Sequence, residues 1–187
     1  HKPFMMTRLL RQQGIRADYI GLCSDVGRLA MGYDYAIPHD IGRLNKELLR
    51  FLNFARILLF YDVVHYHFNS FVFPSGDEIK WFRRGGKVIA CHYRGCDVRC
   101  RSINMSKNRE LNCCQECDYP QGSCDTEFQE MRLALSARFA DLEFVTTPDL
   151  LDFAPSAEHL PFIPPAMINL DSIVPMPKSD GIVRIVT

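Results

Sequence analysis

The chain has 187 residues, 47% of them apolar, which suits one domain with a buried core, or one domain plus the edge of another. Basic and acidic side chains number 22 each, so the net charge is zero and there is no basic footprint or polybasic arm for nucleic acid. No apolar run reaches the roughly 18 residues that a membrane span needs, and the start, His1-Lys2-Pro3-Phe4, lacks the charged and apolar regions of a signal peptide.

In chain order, Pro3 stands where a helix can begin and Gly14 where one can end, with Phe4, Met5, Leu9 and Leu10 as its apolar side. Ala17 to Cys23 reads as a short strand, followed by a loop rich in Gly and Tyr up to Asp40. Ile41, Leu44, Leu48, Phe51, Leu52, Ala55, Leu58 and Leu59 then recur at helical spacing. Tyr61 to Phe68 is a strand, Asp77 to Arg84 a short helix stopped by Gly85-Gly86, and Lys87 to His92 another strand. After a cysteine-rich insert over 96–124, Phe128, Met131, Leu135, Phe139 and Leu142 mark a long helix. Glu143 to Thr146 is a strand, Pro148 opens a short helix, and His159 to Phe162 is a last short strand. Strands alternating with helices predict an α/β fold with a Rossmann-like parallel sheet.

Both ends read as unfinished. No strand precedes the first helix, and in a doubly wound sheet the missing strand would be the central one. Residues 164–177 read as a proline-marked connector, and Gly181 to Thr187 as the first strand of a second domain, without partners in the first. The expected division is therefore a domain over 1–163, carrying the insert, and a linker with the start of a second domain over 164–187.

Ligands of open parallel sheets bind beyond the carboxyl ends of the strands. That rule selects Val64-His65-Tyr66-His67-Phe68-Asn69 and Ala90-Cys91-His92-Tyr93-Arg94-Gly95-Cys96-Asp97. His65 and His67 share one face of their strand because side chains alternate. His65 reads as a packed, hydrogen-bonded core residue. His67 is open between packing and lining the cleft, and His92 is read as functional. Arg94 and Arg99 can meet an anion or simply be solvated. His39 and His159 read as ordinary loop or strand-end residues.

Seven of the eight cysteines fall between positions 91 and 124. Such clustering in an enzyme-like chain reads as metal binding in a reducing cytosol, with free thiols or disulfides as the other outcomes. Cys114 and Cys117 make a C-x2-C knuckle. With Cys100 and Cys124 they can form a closed tetrahedral, structural zinc site. Cys113 is the spare of the adjacent pair, and Cys96 competes with Cys100. Arg99, Arg101, Lys107 and Arg109 are placed to offset the thiolate charge. The insert is too polar to fold on a core of its own, so metal binding could supply its folding energy.

The stretches "YDVVHYHF" and "GGKVIACHYRGCDVR", then "EFVTTPDLLDFAP" and "PFIPPAMINLD", resemble the ordered motifs of the family 4 retaining glycosyltransferases. The opening "HKPFMMTRLLRQQGIRADYI" resembles the helix after that family's glycine-rich first loop. The resemblance covers almost the whole chain. It implies the N-terminal, acceptor-side half of a GT-B fold, inactive alone, whose partner is its own C-terminal donor-binding domain and whose donor is a nucleotide sugar. It implies that His92 lines the cleft against the transferred sugar and that Asp97 is the acidic residue after it. His1 and Lys2 follow the phosphate-approaching loop. His67, Asn69 and Arg94 join them as candidate substrate-binding residues at the strand ends. The implied acceptor is a sugar or a lipid-linked sugar, the setting cytoplasmic, with peripheral membrane contact left open. Tyr93 and Arg94 stand where the family often has Gly, and Cys96 where it has Ser. The glycine-rich loop and the C-terminal E-x7-E-type motif are absent.

Two other classes remain. One is a metal-dependent hydrolase using His65, His67 and His92, against which no acidic ligand stands at a helpful spacing. The other is a non-enzymatic zinc-containing binding module, against which the neutral charge counts for nucleic acid.

Overall fold

A computed structural model describes residues 2–23, 33–38, 41–68, 70–107, 113–115, 117, 124, 126–161 and 184–186. Helix α1 (Lys2–Gln12) ends at Gly14, where the Gly14 amide bonds the Arg11 carbonyl and the Ile15 amide the Leu10 carbonyl, each at 3.0 Å. Arg11 pins this helix to strand β1 (Arg16–Asp18). Its Nε donates to the Ala17 carbonyl at 2.6 Å, and its Nη2 pairs with Asp18 and Asp34.

The strand expected over 17–23 is broken. Tyr19 separates β1 from β2 (Ile20–Cys23), which pairs with β3 (Tyr35–Pro38) in a separate two-stranded parallel sheet. The cause is local: the Tyr19 amide donates to the Asp34 carboxylate at 2.7 Å, and its carbonyl accepts from the Asp34 and Tyr35 amides. Part of the expected loop before Asp40 is thus strand β3.

Helix α2 (Arg43–Phe60) forms where the apolar spacing predicts it. Strand β4 (Val63–His67), helix α3 (Glu78–Arg84) and strand β5 (Val88–Tyr93) follow. Gly86, at φ +74°, makes the turn between the last two, a backbone conformation costly for other residues. Helix α4 (Arg101–Lys107) lies within the cysteine-rich segment. Helix α5 (Thr126–Phe139) stops three residues short of Leu142, which instead opens strand β6 (Leu142–Val145). Asp141 fixes that start by exchanging hydrogen bonds with Ile89 of β5, at 2.8 and 2.9 Å. A 3₁₀ turn over Pro148–Asp152 leads to the two-residue strand β7 (Glu158–His159), shorter than expected.

Among the described residues, six strands form one wholly parallel sheet in the order β1-β8-β4-β5-β6-β7. Strand β8 (Arg184–Val186) belongs to the stretch expected to stand without partners. It lies between β1 and β4, second in the sheet, and pairs with both. An empty slot would leave two rows of backbone donors and acceptors unpaired, and Val186 is buried there. The expected connector over 164–177 lies outside the described residues.

Strands β4 and β5 bury both faces, as central strands of parallel sheets do. One face is the apolar core: Val64, Tyr66, Ile89, Cys91 and Tyr93 pack with Ile79 and Phe82 of α3, Val145 of β6 and Val186 of β8. On the other face the alternation places His65, His67, Ala90, His92 and Phe144.

Candidate functional site

His67 and His92 are register partners on adjacent strands, and His65 stands two residues before His67 on the same face. The His65 and His67 ring centroids are 4.1 Å apart, and both lie under 6 Å from the His92 ring (5.7 and 5.6 Å). The His65 and His92 rings are nearly parallel, at 2°, and Phe144 meets His92 edge-on at 5.9 Å. His65 is buried, as expected, but the expected hydrogen bond is not there at Nε2. That atom and the Nε2 of His67 are both buried and find no hydrogen-bond partner among the described residues. Each unsatisfied buried polar atom costs about 1–3 kcal/mol, so the cluster is expensive unless it does something.

Burial, and then the neighbouring His92, pull the His65 pKa down to about 3. Burial, His65, His92 and Arg94 in turn hold His67 well below the ordinary histidine range. Both rings are therefore neutral near pH 7, each with one nitrogen lone pair available.

Strand β4 ends abruptly. The Phe68 amide bonds the His92 carbonyl at 3.1 Å and the Ser70 amide the His67 carbonyl at 3.2 Å. Phe68 sits at φ +56°, a conformation uncommon for a bulky residue and a recurring mark of ligand sites. A cleft of about 280 Å³ opens here, and its lining includes His65, His67, Phe68, Arg94, Pro3, Tyr19 and Tyr33. The Tyr19 and Tyr33 rings lie 4.6 Å apart, tilted by 35°, and the Tyr33 ring lies so close over Gly21 that a side chain there would collide with it.

The remaining predicted residues are placed as follows. Arg94 is half-buried and lines the cleft; burial lowers its pKa, with Asp97 and Tyr19 acting in the other direction. Asp97 is buried, and its carboxylate accepts the Arg94 amide at 3.0 and 3.2 Å and the Gly95 amide at 2.7 Å. It shapes the loop after β5 through these bonds. Gln129 of α5 holds the same loop, donating to the Cys96 and Arg99 carbonyls at 2.6 and 3.2 Å. Arg99 is ion-paired with Asp149 and lies near Cys113 and Cys96, so it is not simply solvated, while Lys107 pairs with Asp152 at 3.0 Å. His159 is exposed at the end of β7. His1, His39, Asn69 and Arg109 lie outside the described residues, as does the side chain of Lys2.

The cysteines fall into two neighbourhoods. Cys96 lies within hydrogen-bonding reach of Cys124 and near Cys117. Cys113 and Cys114 share the Asn104 amide, at 3.7 and 3.2 Å, while the Cys100 sulfur contacts Ser102 at 3.1 Å. The four predicted ligands Cys100, Cys114, Cys117 and Cys124 do not converge on one point. Among the described residues only His65, His67 and His92 bring three ligand atoms together.

Sequence reasoning did not single out Tyr19, Tyr33, Phe68, Glu78 or Arg132. The tyrosines lay in a stretch read as loop, and a positive φ at Phe68 leaves no compositional trace. Glu78 is fully buried at the start of α3, and Arg132 of α5 sits 3.8 Å over the Phe128 ring and 5.5 Å over that of Phe71. A search of protein-family models, curated proteins and solved structures finds no match to this chain.

Proposed function

We propose that this chain is the acceptor-side domain of a retaining, nucleotide-sugar-dependent glycosyltransferase with a Rossmann-like, GT-B-type arrangement. The observation that carries the reading is the cleft at the carboxyl ends of β4 and β5, lined by His67 and Arg94 together with the aromatic rings of Tyr19, Tyr33 and Phe68. Flat aromatic faces beside a few fixed polar groups suit a sugar ring, which offers both C–H and hydroxyl surfaces. Transfer passes through an oxocarbenium-like state, and the acceptor side has to hold a hydroxyl at near-attack distance. His92, rigidly held on β5 beside His67, is the residue assigned to the transferred sugar. Asp97 serves by fixing the loop that presents Arg94. The donor domain supplies the diphosphate-binding groups, so this chain alone binds acceptor and turns over nothing.

The insert is proposed to hold structural zinc, and the proximity of Cys96 to Cys124 and Cys117 favours Cys96 over Cys100 as a ligand. The test of the main reading is turnover of a panel of nucleotide sugars by the complete gene product. His92→Ala is expected to lower kcat on the order of 10²-fold, the loss typical of removing one preorganised polar contact, with the fold retained by circular dichroism. Robust transfer by residues 1–187 alone, or an unaffected His92→Ala enzyme, rejects it.

A further inference from the structure

The three histidines share a property that sugar binding does not require. Their ligand nitrogens all lie within 4.8 Å of one another, on two hydrogen-bonded strands of one sheet. The Nε2 atoms of His65 and His67 are sealed from solvent and bond nothing among the described residues. Among the described residues no carboxylate acts on His65 or His67: His92 acts on His65, and His65, His92 and Arg94 act on His67. Three imidazoles converging from two adjacent strands are a ligand set for a borderline transition metal, and a poor one for magnesium or calcium, which take oxygen.

We infer that His65, His67 and His92 bind one divalent ion of the zinc class, leaving a fourth position open to an oxyanion from the cleft. Zinc–imidazole bonds of about 2.0–2.1 Å place three tetrahedral nitrogens about 3.3 Å apart. The observed spacing, at most 4.8 Å, is within about 1.5 Å of that. His65 and His67 both line the cleft, though their Nε2 atoms are now sealed from it, so turning these rings onto the ion is what would open its fourth position to the cleft. Arg94 lines the cleft too and repels positive charge on His67. A dication beside that guanidinium calls for an anion between them, which makes a carboxylate, a phosphate oxygen or hydroxide the fitting fourth ligand. This inference does not rest on the transferase reading: a chain without metal here would leave that reading standing.

The test is titration of the chelator-stripped chain with Co²⁺ and then Zn²⁺, read by visible absorption and by imidazole ¹⁵N resonances. The expected result is one equivalent that shifts the ring nitrogens of all three histidines. It persists when Cys114 and Cys117 are both changed to Ser and is lost in His67→Gln. Imidazole resonances that stay in place, with cobalt giving only thiolate charge-transfer bands, would overturn the site. If His67→Gln does not fold, the wild-type imidazole resonances decide the matter alone. Inorganic phosphate is expected to bind the metal-loaded chain at least tenfold more tightly than the stripped one. Equal affinity for both overturns the open fourth position.

Discussion

Glu78 opens α3 with its carboxyl buried beside the Tyr66 phenol, on the core face of β4. One oxygen accepts the Val72 amide at 2.6 Å, and the other finds no hydrogen-bond partner among the described residues. Burial drives its pKa from 4.5 up to about 7, against the pull of the Val72 and Phe73 amides. The unfolded chain gives up this proton in the ordinary carboxylate range, and the folded chain only near neutrality. Stability is therefore lost as pH rises between those values, by up to about 3 kcal/mol. Glu78→Gln keeps an acceptor for Val72 and does not titrate. Urea midpoints of wild type and variant are expected to agree near pH 4.5 and to separate by about pH 8 with the variant higher. A gap that does not change with pH would mean that the folded chain stabilises the carboxylate after all, with Arg132 as the nearby cation able to do so.

At the scale of the element, α2 shows what periodicity can and cannot say. Its helical spacing was legible, and the helix forms, but Leu44, Leu48, Phe51, Leu52 and Leu59 are exposed, Leu44 at 83%. The residues it buries are Asn53 and Ile57. The segment is apolar on more than one side, so the spacing gave the helix and not its orientation. Leu44→Gln with Leu48→Gln is expected to move stability by no more than about 0.5 kcal/mol per site. A thermal shift well beyond that would show those side chains packed in solution. Strands β4 and β5 are the opposite case: each opens on an apolar pair, and the strand-end rule put His67, His92 and Arg94 at or just beyond their carboxyl ends. The break at Tyr19 was not legible, because it depends on Asp34, fifteen positions on. Nor was the role of Asp97, whose bonds run to its own loop. The cysteine spacing offered four ligands, but spacing alone does not say which thiols meet.

Across the whole molecule, β8 is the piece that joins the sheet. It pairs Arg16 with Arg184 on one side and Val63 with Ile185 on the other, and Val186 enters the core. Removing residues 184–186 strips β1 and β4 of their shared neighbour. The truncated chain is expected to lose several kcal/mol and to exchange the backbone amides of Val63 and Val64 much faster with deuterium. Unchanged protection at those two amides would place β8 outside the folded unit.

The same strand sets an order of events. Adjacent βα units close small loops quickly, whereas a contact between Arg16 and Arg184 must first close the long loop between those two residues, and long-range pairings of this kind slow folding. On a ribosome, β1 and β4 would wait side by side with a vacant groove between them until residues 184–186 emerge. During that interval any extended apolar segment could enter the groove, so synthesis speed and chaperone cover bear on this protein's yield as much as its final stability does.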